Sequence, residues 1–158
     1  MATIFSIVYK PSGEESTEGQ EEYLRVPAEQ VRLVAGHGIE GDQKAGHHPE
    51  RQLNLLSRDW VDAARSKGYK AGPGQFGEQM VVDGLSFQTL SPGTRLQLGS
   101  SAVIEIVKPR TGCDRFERAQ EGRPRDGNGT VGVMARVLSD GEVRVGDEVK
   151  VVEQAPTR

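Results

Sequence analysis

The chain has 158 residues and a mass of 17.2 kDa, a length that fits one domain around one core. Its net charge of -3 and pI near 5.7 exclude general nucleic-acid affinity, which needs a basic field over the phosphates. With 20 glycines, 35% hydrophobic residues and a mean hydropathy of -0.54, it lacks long helical patterns and any run near the roughly 18 apolar residues of a membrane span.

Many turns and few helical stretches predict a strand-rich soluble domain. The N-terminus carries no basic segment followed by an apolar signal core, so the expected location is the cytoplasm. The lone cysteine, Cys113, closes no intramolecular disulfide and stays reduced there.

Residues 3–10 read as a first strand, with Ile4, Ser6 and Val8 alternating against Phe5, Ile7 and Tyr9. Residues 11–22 are polar, acidic and aperiodic, as in a surface loop. Short strands are predicted at 23–26 and 31–35, the second ending at Gly36. After a loop rich in glycine and histidine, 51–56 place Leu53 and Leu55 on one face of a strand.

The period then changes. Ser57 stands at a helix start, Trp60, Ala63, Ala64 and Lys67 share a helical face over 58–67, and Gly68 marks the stop. Strands return at 80–82, 95–98, 102–107, 131–138 and 148–152, separated by turn residues such as Ser91-Pro92-Gly93 and Ser139-Asp140-Gly141. Many short strands with one or two short helices predict a mainly β fold, a compact barrel that removes its sheet edges by closure.

The densest chemistry lies in Lys108-Pro109-Arg110-Thr111-Gly112-Cys113-Asp114-Arg115-Phe116-Glu117-Arg118, after an apolar strand and before a candidate short helix. A thiol at such a turn meets the positive end of a helix, and Arg110, Arg115 and Arg118 favour the thiolate, the form that attacks sulfur and binds soft metals. A small buried packing residue is the other reading of a free cysteine, and local chemistry leaves both open.

With Arg123, Arg125 and Arg136, seven cationic residues crowd 108–136 of an acidic chain. They read as a solvated patch or as guanidinium forks for phosphate and carboxylate. Gly127-Asn128-Gly129-Thr130 offers backbone N–H groups to an anion but matches no nucleotide-binding fingerprint. His37, His47 and His48 lack the spacing of a closed zinc site, and no zinc is expected. Glu40, Asp42 and Glu78 sit among glycines, where carboxylates bond loop amides. No serine lies in a Gly-x-Ser-x-Gly elbow, which argues against a Ser-His-Asp hydrolase.

One ordered set of segments is more specific than any of these: Gly38-Ile39-Glu40-Gly41-Asp42, Arg51-Gln52-Leu53-Asn54-Leu55-Leu56-Ser57, Gly72-Pro73-Gly74-Gln75-Phe76-Gly77-Glu78, Gly84-Leu85, Gly99 with the strand to Ile106, Cys113, and Val145-Gly146-Asp147. Together they resemble a MOSC domain, the family named for the C-terminal domain of molybdenum cofactor sulfurase. The resemblance spans about residues 30–152. Two positions depart from it. Lys44 stands where the family often has histidine, keeping a donor and adding charge, and Gln79 stands where it usually has asparagine, holding the amide one methylene further out.

The resemblance implies a β-barrel-like domain over 1–158 with its core at about 30–152, and a cysteine that handles sulfur or meets molybdenum. The implied cofactor is the molybdenum cofactor. Cys113 would be the catalytic residue and, with metal bound, a molybdenum ligand, while Asp42, Lys44, Arg51, Glu78, Gln79, Arg110, Arg115 and Arg136 would bind the cofactor. Its pterin carries a phosphate that the arginine-rich segment suits.

Three functions follow as expectations. The first is a protein whose Cys113 carries persulfide sulfur or ligates molybdenum, with a cysteine desulfurase or a molybdoenzyme as partner. The second is an oxidoreductase that reduces N-hydroxylated compounds at the cofactor, as some relatives do. The third is a non-catalytic module that binds an anionic small molecule or a desulfurase. The first two require Cys113 to be reachable in a concave site shared with the loops 38–42 and 76–79, with at least one of Arg110, Arg115, Arg118 and Arg136 lining it. No nucleic-acid or membrane partner is expected.

Overall fold

The computed structural model describes residues 1–11, 25–43, 45–111 and 130–154. Along the chain it forms β1 (Ala2–Tyr9), β2 (Val26–Pro27), β3 (Gln30–Val34), β4 (Gly38–Ile39), β5 (Leu53–Ser57), α1 (Arg58–Ser66), β6 (Met80–Asp83), β7 (Arg95–Leu98), β8 (Ala102–Thr111), β9 (Thr130–Ser139), β10 (Gly141–Arg144) and β11 (Glu148–Glu153). Seven strands follow the order β11-β7-β8-β9-β5-β6-β1, and pairing of β1 with β11 closes them into a barrel. The fold is mainly β, as the sequence predicts, and closure leaves no long edge for another chain to pair with. β1 is a barrel stave although it precedes the span that carries the family resemblance.

Alternation explains the interior. Leu53 and Leu55 of β5, Met80 and Val82 of β6, and Val133 and Ala135 of β9 share one buried cluster, so the residues between them face outward. The small sheet β10-β3-β4 adds Val31, Leu33, Ile39 and Val143 to the same cluster. β5 and β6 are the parallel pair of the barrel, and α1 with the loop after it makes the crossover such a pair requires.

The outer wall is partly apolar too. Leu56, Val81 and Val131 pack under Val61 and Ala64 of α1, with Tyr69 and Phe76 from the loop that follows. Trp60 meets Phe76 edge-on at 4.9 Å. The helix therefore buries Val61 and Ala64 with Trp60 half-buried, whereas Ala63 and Lys67 of the predicted face are exposed. Ser57 occupies the helix start without capping it, because its Oγ accepts the Phe87 N–H at 2.9 Å instead.

β8 runs past the predicted end at Val107 to Thr111, pairing Pro109 with Val133 after a register shift between Ile106 and Lys108. Proline is accepted beside such an irregularity. Outward residues thus align across the strands: Asn54, Met134 and Lys108 in one row, and Leu56, Val81 and Ser6 in the next, with Gly132 and Arg110 continuing it. No helix among the described residues is long and apolar enough to cross a membrane.

Candidate functional site

Several of the polar groups that the fold buries gather on this outer wall. Asp42, in the turn after β4, is 4% exposed; its Oδ1 accepts the Lys10 backbone N–H at 3.2 Å and its Oδ2 accepts from Gln79 Nε2 at 3.4 Å. Gln79 precedes β6 and faces outward by alternation with Met80. Its Oε1 accepts the Asn54 N–H at 2.7 Å, its own N–H donates to the Asn54 carbonyl at 2.9 Å, and its carbonyl accepts the Val8 N–H at 2.8 Å. Gln79 therefore ties β5 to the turn after β4 through its side chain and reaches β1 through its main chain. Glutamine suits the position because its amide both donates and accepts.

Glu78 is 1% exposed and clamps the loop before it, accepting the Gly74 N–H at 2.7 Å and the Phe76 N–H at 3.2 Å. Gly74 makes that turn possible, at φ 80, a conformation L side chains rarely adopt. Burial pushes the Glu78 carboxyl above its ordinary value, opposed by the loop N–H groups and by the charge of Arg110. Arg110 is itself buried. Arg25 Nη2 donates to the Gly77 carbonyl at 3.3 Å, which brings another guanidinium to the same loop.

The structure therefore joins Asp42, Gln79 and Glu78 with Arg110 and connects the two predicted loops through the Gln79–Asp42 bond. It does not bring Arg51 or Arg136 to them. Arg51 is exposed before β5. Arg136 pairs with Glu105 at 2.6 Å, where Arg95 also binds at 3.1 Å. Partial burial alone would raise the Glu105 carboxyl, but the hydrogen bonds and charges of Arg95 and Arg136 outweigh it and hold the group below its usual value. Lys44, Cys113, Arg115 and Arg118 lie outside the described residues.

Among the described residues no group of three or more histidine, cysteine or acidic side chains is placed to hold a metal ion. His47 contacts the Gln43 carbonyl at 2.8 Å, and His48 Nδ1 accepts the Glu50 N–H at 3.1 Å. A cavity of about 80 Å³ between α1 and the wall, bordered by Ser6, Arg58, Arg65 and Glu78, is lined by neither Asp42 nor Gln79.

Two residues in the cluster carried no functional signal in the sequence. Lys10 read as the end of a strand, yet it is 3% exposed. Asn54 read as the polar position between two core leucines, yet its Oδ1 is buried and has no hydrogen-bond partner among the described residues. A buried acceptor without a donor is costly, so this atom suits a ligand that brings an N–H or O–H group. A pterin does so, and the molybdenum cofactor is in that respect compatible with the cluster.

The family model of the MOSC domain matches residues 42–150. A comparison with curated protein sequences finds no match. Among solved structures, the YUAD protein from Bacillus subtilis is similar with a TM-score of 0.72 at 18% identity, covering 94% of this chain and 94% of that chain. YiiM from Geobacillus stearothermophilus gives a TM-score of 0.72 at 18% identity, covering 97% of this chain and 76% of that one. YiiM from Escherichia coli gives 0.67 at 22% identity, with 98% and 72% covered. At these identities the likeness is one of fold.

Proposed function

The chain belongs to the MOSC domain family, which is associated with the molybdenum cofactor, and from that premise we propose that it serves this cofactor through Cys113, as a persulfide carrier or as a thiolate ligand to molybdenum. The observation that supports this reading is the unsatisfied Asn54 Oδ1 beside the Asp42–Gln79 network, because a buried acceptor without a donor asks for a ligand there. In sequence, Cys113 follows the buried Arg110 by three positions.

As a carrier, the Cys113 thiolate attacks the outer sulfur of a donor persulfide. The donor S–S bond breaks, the donor leaves as a thiolate, and Cys113 keeps the transferred sulfur as its own persulfide. Asp42, Glu78, Gln79, Asn54 and Arg110 would hold the cofactor, and Lys44 and Arg115 complete the proposed set, whereas Arg51 and Arg136 lie apart from this cluster. When bound, the cofactor supplies a redox-active metal that accepts sulfur ligands. The proposal takes 1–158 as one domain, places it in the cytoplasm, and names a cysteine desulfurase or a molybdoenzyme as partner.

The test is metal analysis of the purified full chain, with intact mass before and after thiol reduction. The carrier form shows one extra sulfur atom that reductant removes and Cys113→Ser lacks. The ligand form shows stoichiometric molybdenum lost in the same variant, and added turnover of an N-hydroxylated base would make the protein an oxidoreductase. Protein that acquires neither sulfur nor molybdenum, after incubation with a desulfurase or with free cofactor, contradicts the proposal and leaves a binding module.

A further inference from the structure

The cavity between α1 and the outer wall is separate from the cluster around Asp42. It holds about 80 Å³, well under the roughly 150 Å³ that takes a benzene ring, so a bicyclic pterin does not fit and a molecule of a few heavy atoms does. Gly72 lines it. The φ of Gly72 is ordinary, and beyond its chain neighbours a Cβ there would meet only Gln75 Cγ, at 3.6 Å. Neither the turn nor the packing requires glycine at this position, and its missing side chain leaves the space open.

Two guanidiniums of α1 border the cavity, and both are held in place. Arg65 donates to the Ala71 carbonyl at 3.0 Å and to Asp62 at 3.1 Å. Arg58 donates to Asp83 at 3.2 Å and lies 4.1 Å over the centre of the Phe5 ring. A guanidinium has five N–H donors, so each keeps some beyond these bonds.

The carboxyls in the lining offset the two charges only in part. Asp62 is shared, with Oδ1 toward Arg65 and Oδ2 3.8 Å from Arg58 Nε. Glu78 turns both oxygens to the Gly74 and Phe76 N–H groups, and burial disfavours its charged form. Val61 and Val81 supply an apolar side, and the Ser6 hydroxyl adds a donor on the barrel side.

We propose that this cavity is a second binding site, which takes a short-chain carboxylate with its head on Arg58, Arg65 and the Ser6 hydroxyl and its alkyl end against Val61 and Val81. Guanidiniums already fixed by Asp62, Asp83 and the Ala71 carbonyl lose little freedom when the anion arrives. The proposal rests neither on Cys113 nor on the reading of the Asp42–Gln79 cluster, so it stands or falls apart from them.

The test titrates the full chain with propionate, and separately with propionamide as its uncharged analogue, at constant ionic strength while backbone amide resonances are followed. Propionate is expected to give saturable shifts at Ser6, Val61, Ala71 and Gly72, and propionamide none that saturate. Arg65→Met keeps the apolar stem, removes the charge and is expected to weaken propionate about tenfold or more, as the loss of a charge-assisted hydrogen bond does. Should that variant not fold, because it also loses the bond to the Ala71 carbonyl, Ser6→Ala removes only a hydroxyl and is expected to weaken propionate about threefold or more. Shifts that grow without saturating, equal binding of propionamide, saturable shifts confined to other parts of the chain, or unchanged affinity in the variant that folds would each overturn the proposal.

Discussion

Gln79 Nε2 donates to Asp42 Oδ2 across 3.4 Å, joining two loops separated by 37 positions in the sequence. The same Asp42 takes the Lys10 N–H, so one carboxylate fixes the end of β1, the turn after β4 and the approach to β6. Asp42→Ala strands a buried N–H and an amide, and is expected to cost about 1–3 kcal/mol. Asp42→Asn keeps an acceptor for Lys10 and should cost less. Urea unfolding orders them, and equal midpoints for wild type and Asp42→Ala would show the bond to be dispensable.

Two carboxyls give opposite pH signatures. Glu78 is held above its ordinary value, chiefly by burial, so the native state keeps that proton longer than the unfolded chain does. Its contribution is complete below the ordinary carboxyl value and is lost as pH rises through the raised one. Glu105 is held below its ordinary value because Arg95 and Arg136 outweigh partial burial, so its contribution is present above the ordinary value and lost as pH falls through the lowered one. Urea midpoints across the acid range should show the margin of wild type over Glu78→Gln shrinking as pH rises, and that over Glu105→Gln growing. Two flat margins would contradict both assignments.

Gly132 lies where β9 crosses β5. A Cβ there would stand 2.2 Å from the Leu55 carbonyl oxygen and 2.6 Å from Leu56 Cδ2, and a backbone oxygen cannot move aside as a side chain can. Gly132→Ala is expected to lose about 3 kcal/mol or more, read as failed soluble expression or a collapsed urea midpoint. Near-wild-type stability would mean that the two strands are further apart.

Phe76 is fully buried and carries the edge contact with Trp60. Phe76→Ala should cost about 3–5 kcal/mol. It should also loosen α1, visible as lost near-ultraviolet dichroism from the lone tryptophan. An unchanged tryptophan signal would show that the helix is held by other contacts.

The barrel was legible because alternation is local. Arg95–Leu98 falls where the 95–98 strand was read, and Asp42 and Glu78 bond loop amides as carboxylates among glycines do. What stayed hidden depends on closure. Lys10 looks like the solvated stop of a strand until the turn after β4 packs over it, and Asn54 looks like any outward strand residue until Gln79 takes its N–H. Arg136 stood in an arginine-rich stretch, but its partner Glu105 lies 31 positions away across a register that the sequence does not display. The helix face was misread because Val61, between Trp60 and Asp62, contacts the outer wall that Leu56 and Val81 form only in the closed barrel.

The account turns on Cys113, and the rate of iodoacetamide labelling in the native protein, followed by intact mass, tests it most directly. A carrier must show its thiolate to a donor and an acceptor, and a metal ligand must face the cofactor. Rapid labelling of native protein at pH values below the ordinary thiol pKa of about 8.5 is the expected result. A thiol that reacts only after denaturation would contradict both roles proposed for Cys113 in the free protein.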